Sequence, residues 1–507
     1  MGILVLNFGG QYAHLIARRV RDLGVHSEIV NYDASIESIR NAKPEGIILS
    51  GGPSSVYEEG APHCDAGVFS LGVPVLGICY GHQLLAHALG GVVKGGGKKQ
   101  FGKQEINVAN AAVFESTPDK QVVWFSHGDA VTQMPDGFKA TASTPSCAVA
   151  AMADEARRLY GVQFHPEVVH TQHGQKILEN FLFRVCGCAK TWSMKEQSRA
   201  LVEEMKQTIG NDKVLIGISG GVDSLVAATL LHNAIGDRLE CVMVDHGLLR
   251  KDEATTVSTY LKKQGFSNLR VVDASETFLS RLEGVTDPEE KRKVIGHSFI
   301  EVFEEEAKKT SGVTFLAQGT IYPDRIESAQ PSKNAAKIKS HHNLTLPEKM
   351  GLKIVEPLKE LYKDEVRRLG EELGIPRELL WRHPFPGPGL AIRILGEVTP
   401  ERIRILREAD AIYIDELRAS GWYDKTWQAF AALLPVKSVG VMGDSRTYEY
   451  VIALRAVDSV DGMTADWTRI DPDVLSRIAS RIVNEVRGAN RVLFDVTQKP
   501  PGTIEYE

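Results

Sequence analysis

Twice along the chain, short apolar runs alternate with stretches of helical spacing, and this alternation restricts the folds open to it. In the first series the runs are "ILVLNF", "GIILSGG", "VPVLGIC" and "LYGVQFH", with "LIARRVRDLG" and "QKILENFLFRV" as helical stretches. Strands this apolar are covered on both faces, as in a parallel sheet with crossover helices. A second series starts near residue 213 with "KVLIGIS", "LECVMVD", "LRVVDA" and "VTFLAQG", again with helical segments such as "LVAATLLHNAI". The polar helical stretch "SMKEQSRALVEEMKQTIG" separates the two series, and the Pro/Gly-rich "HPFPGPGL" closes the second. Beyond it the helical "TPERIRILREADAIYIDELR" precedes strand-like "VKSVGVM" and "YVIALRAV". The pattern predicts an α/β protein with two doubly wound parallel-sheet domains, over 1–190 and 191–382, and a small C-terminal α+β domain over 383–507.

At 507 residues the chain exceeds what one core usually supports, which agrees with several domains. A net charge of -6 offers no basic field for a phosphate backbone, so nucleic acid is not expected as a partner. Six cysteines scattered over this length make no disulfide framework, and Cys186 and Cys188 lack the C-x-x-C spacing. The reading is a reducing, cytoplasmic compartment. The opening "MGILVLNFGG" has no export signature, and no stretch approaches a membrane span.

The run "VPVLGICYGHQLLAHALGG" places Cys79 at the bend between strand and helix. Gly77-Ile78-Cys79-Tyr80-Gly81 is a cysteine version of the G-x-S-x-G elbow, whose glycines allow the sharp turn that exposes a nucleophile. The helix N-terminus beyond it favours a thiolate. Alone, the elbow reads equally well as a structural turn. "YGVQFHPE" supplies His165 and Glu167, expected at i and i+2 of an extended segment on one side, where the carboxylate can orient an imidazole that takes the thiol proton. The turn in "LSGGPSSV", at Gly52, and the N–H of Tyr80 are candidates for an oxyanion hole. In the second series, "VLIGISGGVDSLVAA" is strand, Gly-rich loop, helix. Ser219, Gly220, Gly221, Val222, Asp223, Ser224 and Leu225 then present N–H groups and hydroxyls to phosphate at a helix N-terminus. The loop lacks the Gly-Lys-Ser/Thr ending of a Walker A motif, which argues against γ-phosphoryl transfer. Asp223 is the candidate Mg2+ ligand.

"SGGP", "GICYGHQ" and "FHPE", in this order, resemble the class I glutamine amidotransferases, and "SGGVDS" is similar to the loop of N-type ATP pyrophosphatases. "VDHGLLRKDEA", "LAQGTIYPDRIES", "IKSHHN", "HPFPGPGLAIRILGE", "VKSVGVMGDSRTYEY" and "KPPGTIEYE" extend the resemblance to the glutamine-hydrolysing GMP synthetase family over essentially the whole chain. The resemblance implies that Cys79, His165 and Glu167 release ammonia from glutamine. It also implies that ATP adenylates the 2-oxo group of xanthosine monophosphate (XMP), and that ammonia displaces AMP to give GMP. It further implies a C-terminal homodimer interface and nucleotide contacts for Arg250, Lys499 and Glu505. The expectation for the tail is a short strand in "TIEY" that folds over XMP, with Lys499 on the phosphate and Glu505 accepting from purine or ribose. "KSHHNLTLPEKM", with Lys339 and Asn343, departs from the family pattern in lacking paired glycines after the asparagine. Two alternatives stay open: another amidotransferase-fused ATP pyrophosphatase, and a non-catalytic nucleotide-binding regulator. XMP-dependent formation of AMP and GMP separates them.

Overall fold

The computed structural model describes residues 2–10, 12–95, 100–324, 351–442, 444–459, 462 and 464–507, and the segment with Lys339 and Asn343 lies outside these. The chain divides into two compact units, Met1–Ser193 and Met194–Glu507.

The first unit is built on a nine-stranded sheet. Its parallel half runs in the order Ser27–Asn31, Ile3–Asn7, Gly46–Leu49, Val75–Ile78, Leu159–Val162. The last four are the continuous apolar runs of the sequence and are buried at every position. The helix Ala13–Asp22 turns Ala13, Ile16, Ala17 and Val20 inward, the spacing of one helical face. The other half departs from the expected parallel sheet. Cys147–Asp154, Lys139–Thr144, Gln100–Val108 and Lys120–His127 continue it in antiparallel register. An antiparallel wing can leave one face to water, and in "QFGKQEINV" buried positions are interrupted by exposed ones, a much weaker signal than a buried apolar run.

The second unit carries a five-stranded parallel sheet in the order Leu269–Asp273, Leu239–Asp245, Lys213–Ile218, Val313–Ala317, Lys353–Val355. Strand order reverses between Lys213–Ile218 and Val313–Ala317, and the crevice beyond the carboxyl ends at such a reversal is where open α/β sheets bind ligands. The helix Val222–Ile235 is buried along most of its length, against the helices Met194–Ile209 and Lys363–Glu372. The polar stretch read as a separator is therefore a helix of this unit. Next in the chain, Gln428–Met442 pairs antiparallel with Ser445–Asp458, which pairs parallel with Ala489–Asp495. Helices Pro400–Ala419 and Pro472–Glu485 start at Thr399 and Asp471, whose side chains accept from first-turn N–H groups. One apolar core runs from Leu215 and Val242 of the parallel sheet to Leu406, Leu433 and Ile482. "TIEY" forms no strand. Instead Ile504 packs beside Phe430, Ala432 and Val457.

Candidate active sites

The strand Val75–Ile78 passes into the helix Tyr80–Ala88 through Cys79 alone, at φ 54° and ψ -103°. A non-glycine residue there costs about 1–3 kcal/mol and persists only where its surroundings enforce it. The flanking glycines are required by close approach: a Cβ on Gly77 would overlap the carbonyl of Gly81, and one on Gly81 that of Leu49. The Cys79 thiol faces the carbonyl oxygen of Ser126 at 3.6 Å and accepts from Gln163 Nε2 at 3.8 Å. Gln163 is held in turn by Gln83 at 3.1 Å, and Gln83 also donates to the Asp129 carbonyl at 2.8 Å.

His165 and Glu167 are brought together, though by a different local geometry from the one expected. The strand ends at Val162, and the two residues lie in the loop and turn that follow. His165 Nδ1 meets Glu167 Oε1 at 2.7 Å, with both residues buried. The loop is fixed at His165 itself: its N–H donates to the Trp124 carbonyl at 2.9 Å and its carbonyl accepts from Thr171 Oγ1 at 2.6 Å. The Tyr12 ring meets the imidazole edge-on at 5.1 Å. Burial alone would depress the His165 pKa. The Glu167 charge and hydrogen bonds to Cys79 and Glu167 outweigh it, and hold the imidazole well above its ordinary value. The site thus favours the charged imidazole beside Cys79.

Gly51 and Gly52 border this thiol. A Cβ on Gly51 would stand 3.2 Å from His165 Cε1 and 3.7 Å from Cys79 Cβ, and one on Gly52 3.2 Å from Tyr80 Cγ. The N–H groups of Gly52 and Tyr80 have no acceptor among the described residues. Two unengaged donors beside a nucleophile suit a developing oxyanion.

In the second unit, the Gly-rich loop lies at the strand-order reversal. Gly220 adopts φ +77°, Gly221 caps the helix Val222–Ile235, and Ser219 and Ser224 hydroxyls lie 3.2 Å apart. A Cβ on Gly319 would stand 3.2 Å from the Ser224 N–H nitrogen, so the turn after Val313–Ala317 closes on the loop. Leu225 points into the core. Both Asp223 oxygens accept from Lys363 Nζ, at 2.7 and 2.6 Å. Among the described residues no three ligating side chains cluster as a metal cage. A lone carboxylate suits Mg2+ only where phosphate oxygens complete the donor set, and at Asp223 both oxygens are held by Lys363.

Arg250 and Arg393, far apart in sequence, meet around one aromatic ring, and Arg393 holds Glu505. The guanidinium groups of Arg250 and of the fully buried Arg393 lie 4.9 and 5.0 Å from the Phe385 centroid. Arg393 grips Glu505 with two hydrogen bonds, of 3.0 and 2.9 Å, and Gln428 Nε2 adds a third at 2.7 Å. Arg250 Nε pairs with Asp410 at 3.3 Å, while Arg250 Nη2 and Arg393 Nη1 are buried with no hydrogen-bond partner. Lys499 stands apart from them. Its backbone pairs with Ala465 and its Nζ donates to the Gly462 carbonyl at 2.8 Å. Sequence reading missed Gln83, Gln163, Lys363, Arg393 and Gln428. Gln83 in "GICYGHQ", Gln163 in "YGVQFHPE" and Arg393 in "HPFPGPGLAIRILGE" lay in quoted motifs but were given no role, whereas Lys363 and Gln428 lay in none.

Comparison with known proteins gives three family matches: glutamine amidotransferase class-I over residues 4–185, NAD synthase over 194–289, and GMP synthase C terminal domain over 415–506. Curated relatives match over the full length. A GMP synthase [glutamine-hydrolyzing] of Carboxydothermus hydrogenoformans is 55% identical, covering 100% of this chain and 99% of its own. That of Aquifex aeolicus is 56% identical over the same shares. That of Lactobacillus acidophilus is 54% identical over 100% of this chain and 98% of its own.

Proposed function

The chain belongs to the glutamine-hydrolysing GMP synthase family, and from that premise we propose how its residues share the reaction. It is a ligase that forms GMP with glutamine as nitrogen donor and ATP as substrate. Cys79, its thiol proton passed to His165, attacks the glutamine carboxamide carbon as the thiolate, and the N–H groups of Gly52 and Tyr80 receive the oxyanion. His165, oriented by Glu167, gives its proton to the departing ammonia and then takes one from the water that cleaves the thioester to glutamate. At the second site the XMP 2-oxo oxygen attacks the α-phosphorus of ATP and pyrophosphate leaves. Ammonia then adds at C2 and AMP departs. The loop Ser219–Leu225 holds the phosphates by its N–H groups and hydroxyls, while Arg250, Lys499 and Glu505 hold XMP. Two buried, unpartnered guanidinium nitrogens beside Phe385 support this placement, because buried donors without acceptors are costly unless a ligand completes them. Mg2+ bound at Asp223 would offset the phosphate charge.

The domain limits proposed are 1–190 for the amidotransferase, 191–382 for the pyrophosphatase and 383–507 for the C-terminal domain. A homodimer is supported by Val439, Val441, Tyr448 and Leu493, exposed on three neighbouring strands of the C-terminal sheet. All six cysteines are free, which fits a reducing cytoplasm, and no helix among the described residues is long and apolar enough to cross a membrane.

The observation that carries the residue assignment is the strained Cys79 elbow beside the buried His165–Glu167 pair. Cys79→Ala is expected to abolish glutamine-dependent GMP formation and to keep synthesis with ammonium salts at high pH. Asp223→Asn is expected to lose both, with pyrophosphate release. Loss of both activities in folded Cys79→Ala would overturn the assignment.

A further inference from the structure

The phosphate loop and the loop that carries Arg250 are joined through two charged side chains outside both motifs. Arg382 follows the short helix Arg377–Leu380, and Glu253 opens the helix Glu253–Lys263. Arg382 Nη1 pairs with Glu253 Oε1 at 2.7 Å, and Arg382 Nη2 donates to the carbonyl oxygen of Gly220. Its Nε is anchored on the Leu379 carbonyl at 3.1 Å. The other Glu253 oxygen, Oε2, accepts from the backbone N–H of Arg250 at 3.2 Å. Side-chain exposures of 16% for Arg382 and 9% for Glu253 keep solvent screening low.

Each end of this chain of contacts fixes a group that matters for binding. The Gly220 carbonyl and the Gly221 N–H share one planar peptide unit and point in opposite directions. Holding the carbonyl on Arg382 turns its lone pairs away from the phosphates and sets the direction of the Gly221 donor. At the other end, Asp252 between Arg250 and Glu253 sits at φ 57°, a strained position that its surroundings must impose. A guanidinium presents its donors in a rigid fork, so displacing one loop misaligns the bond to the other.

We propose that Glu253 and Arg382 are positioning residues that couple the two nucleotide sites, so that ATP on the phosphate loop and XMP at Arg250 strengthen each other's binding. The proposal rests on the reading that these loops hold ATP and XMP. A nucleotide that holds either loop in this bridged arrangement stabilises the arrangement the other loop needs.

The test is calorimetric titration of XMP into the full chain with Mg2+, with and without saturating α,β-methylene ATP. In the unmodified protein the analogue is expected to tighten XMP binding about fivefold or more. Glu253→Gln and Arg382→Lys, each checked by circular dichroism, are expected to bring that ratio close to one. The double variant should add no further loss, because both changes break one bridge. A merely structural role would weaken XMP binding by the same factor with and without the analogue. An unaltered ratio in a folded variant, or no enhancement in the unmodified protein, overturns the coupling. Failure of the unmodified protein to bind XMP at all overturns the reading beneath it.

Discussion

At Cys79 the thiol stands on a backbone at φ 54° that glycine adopts without strain. Cys79→Gly should therefore melt above Cys79→Ala, with about 1 kcal/mol of relieved strain surviving the extra freedom glycine brings to the unfolded chain. Differential scanning calorimetry of the two inactive variants checks this, and an equal or lower melting temperature for the glycine variant would refute it. The proton on His165 makes a second test. Its pKa is raised in the folded state, so its contribution to stability is fully present below the unfolded value of about 6.5 and is lost as pH rises through the folded value. Glu167→Gln removes the charge that raises it. That variant should lose more stability at pH 6 than at pH 9, and the alkaline limb of its glutaminase profile should move to lower pH. Glutaminase kcat should fall on the order of tenfold or more.

Among the elements, the C-terminal tail is fixed by buried cations. Lys291, fully buried, pairs with the Glu507 carboxylate and donates to the Ile394 carbonyl at 2.7 Å, while Arg292 Nη2 donates to the Glu507 main-chain oxygen at 2.7 Å. With Arg393 on Glu505, two buried cations depend on the last three residues. Truncation after Gln498 would leave both without their carboxylates, a lesion of roughly 3–5 kcal/mol for each broken buried pair. Truncation therefore tests folding before it tests binding. Glu505→Gln is the cleaner variant: it should raise the KM for XMP about tenfold and leave that for ATP within about twofold, since one charge-assisted contact contributes roughly 1.5 kcal/mol or more. Equal changes in both KM values would place Glu505 outside the nucleotide site. For Lys499, whose Nζ is on the Gly462 carbonyl, Lys499→Ala should give a smaller rise in the same KM.

At the scale of the whole molecule, burial foremost lowers the pKa of five histidines among the described residues: His82 to about 3, His26, His246 and His383 to about 4, and His127 below its ordinary value. His82 is fully enclosed, its ring nitrogens facing the backbone of Val149 and Gly161 without reaching hydrogen-bond geometry. An unfolded chain protonates these groups near pH 6.5 and the native chain does not, so stability falls as pH drops from about 6.5 toward 4. Thermal unfolding should show both units losing melting temperature over that window, the first carrying three of the five groups and the second two. His82→Gln should reduce the slope for the first unit, and an unchanged slope would remove His82 from the account. What the sequence by itself determined was local: the buried strands Ile3–Asn7 and Val75–Ile78, the elbow at Cys79 and the Gly-rich turn Ser219–Ser224 are each written in a few consecutive residues, because strand, turn and helix-cap preferences act over that range. The antiparallel wing escaped because Gln100–Val108, with most positions open to water, lacks the long apolar run of the buried half, and the apolar run Cys147–Asp154 does not by itself reveal the direction of its partners. The partners of the site were decided only by tertiary structure. Gln163 reaches Cys79 across 84 positions, Arg382 reaches Glu253 across 129, and Arg393 reaches Glu505 across 112. An Arg or Gln in a linear chain carries no mark of what it will meet. Only the packing that buries it makes an unpaired polar group costly and so selects its partner.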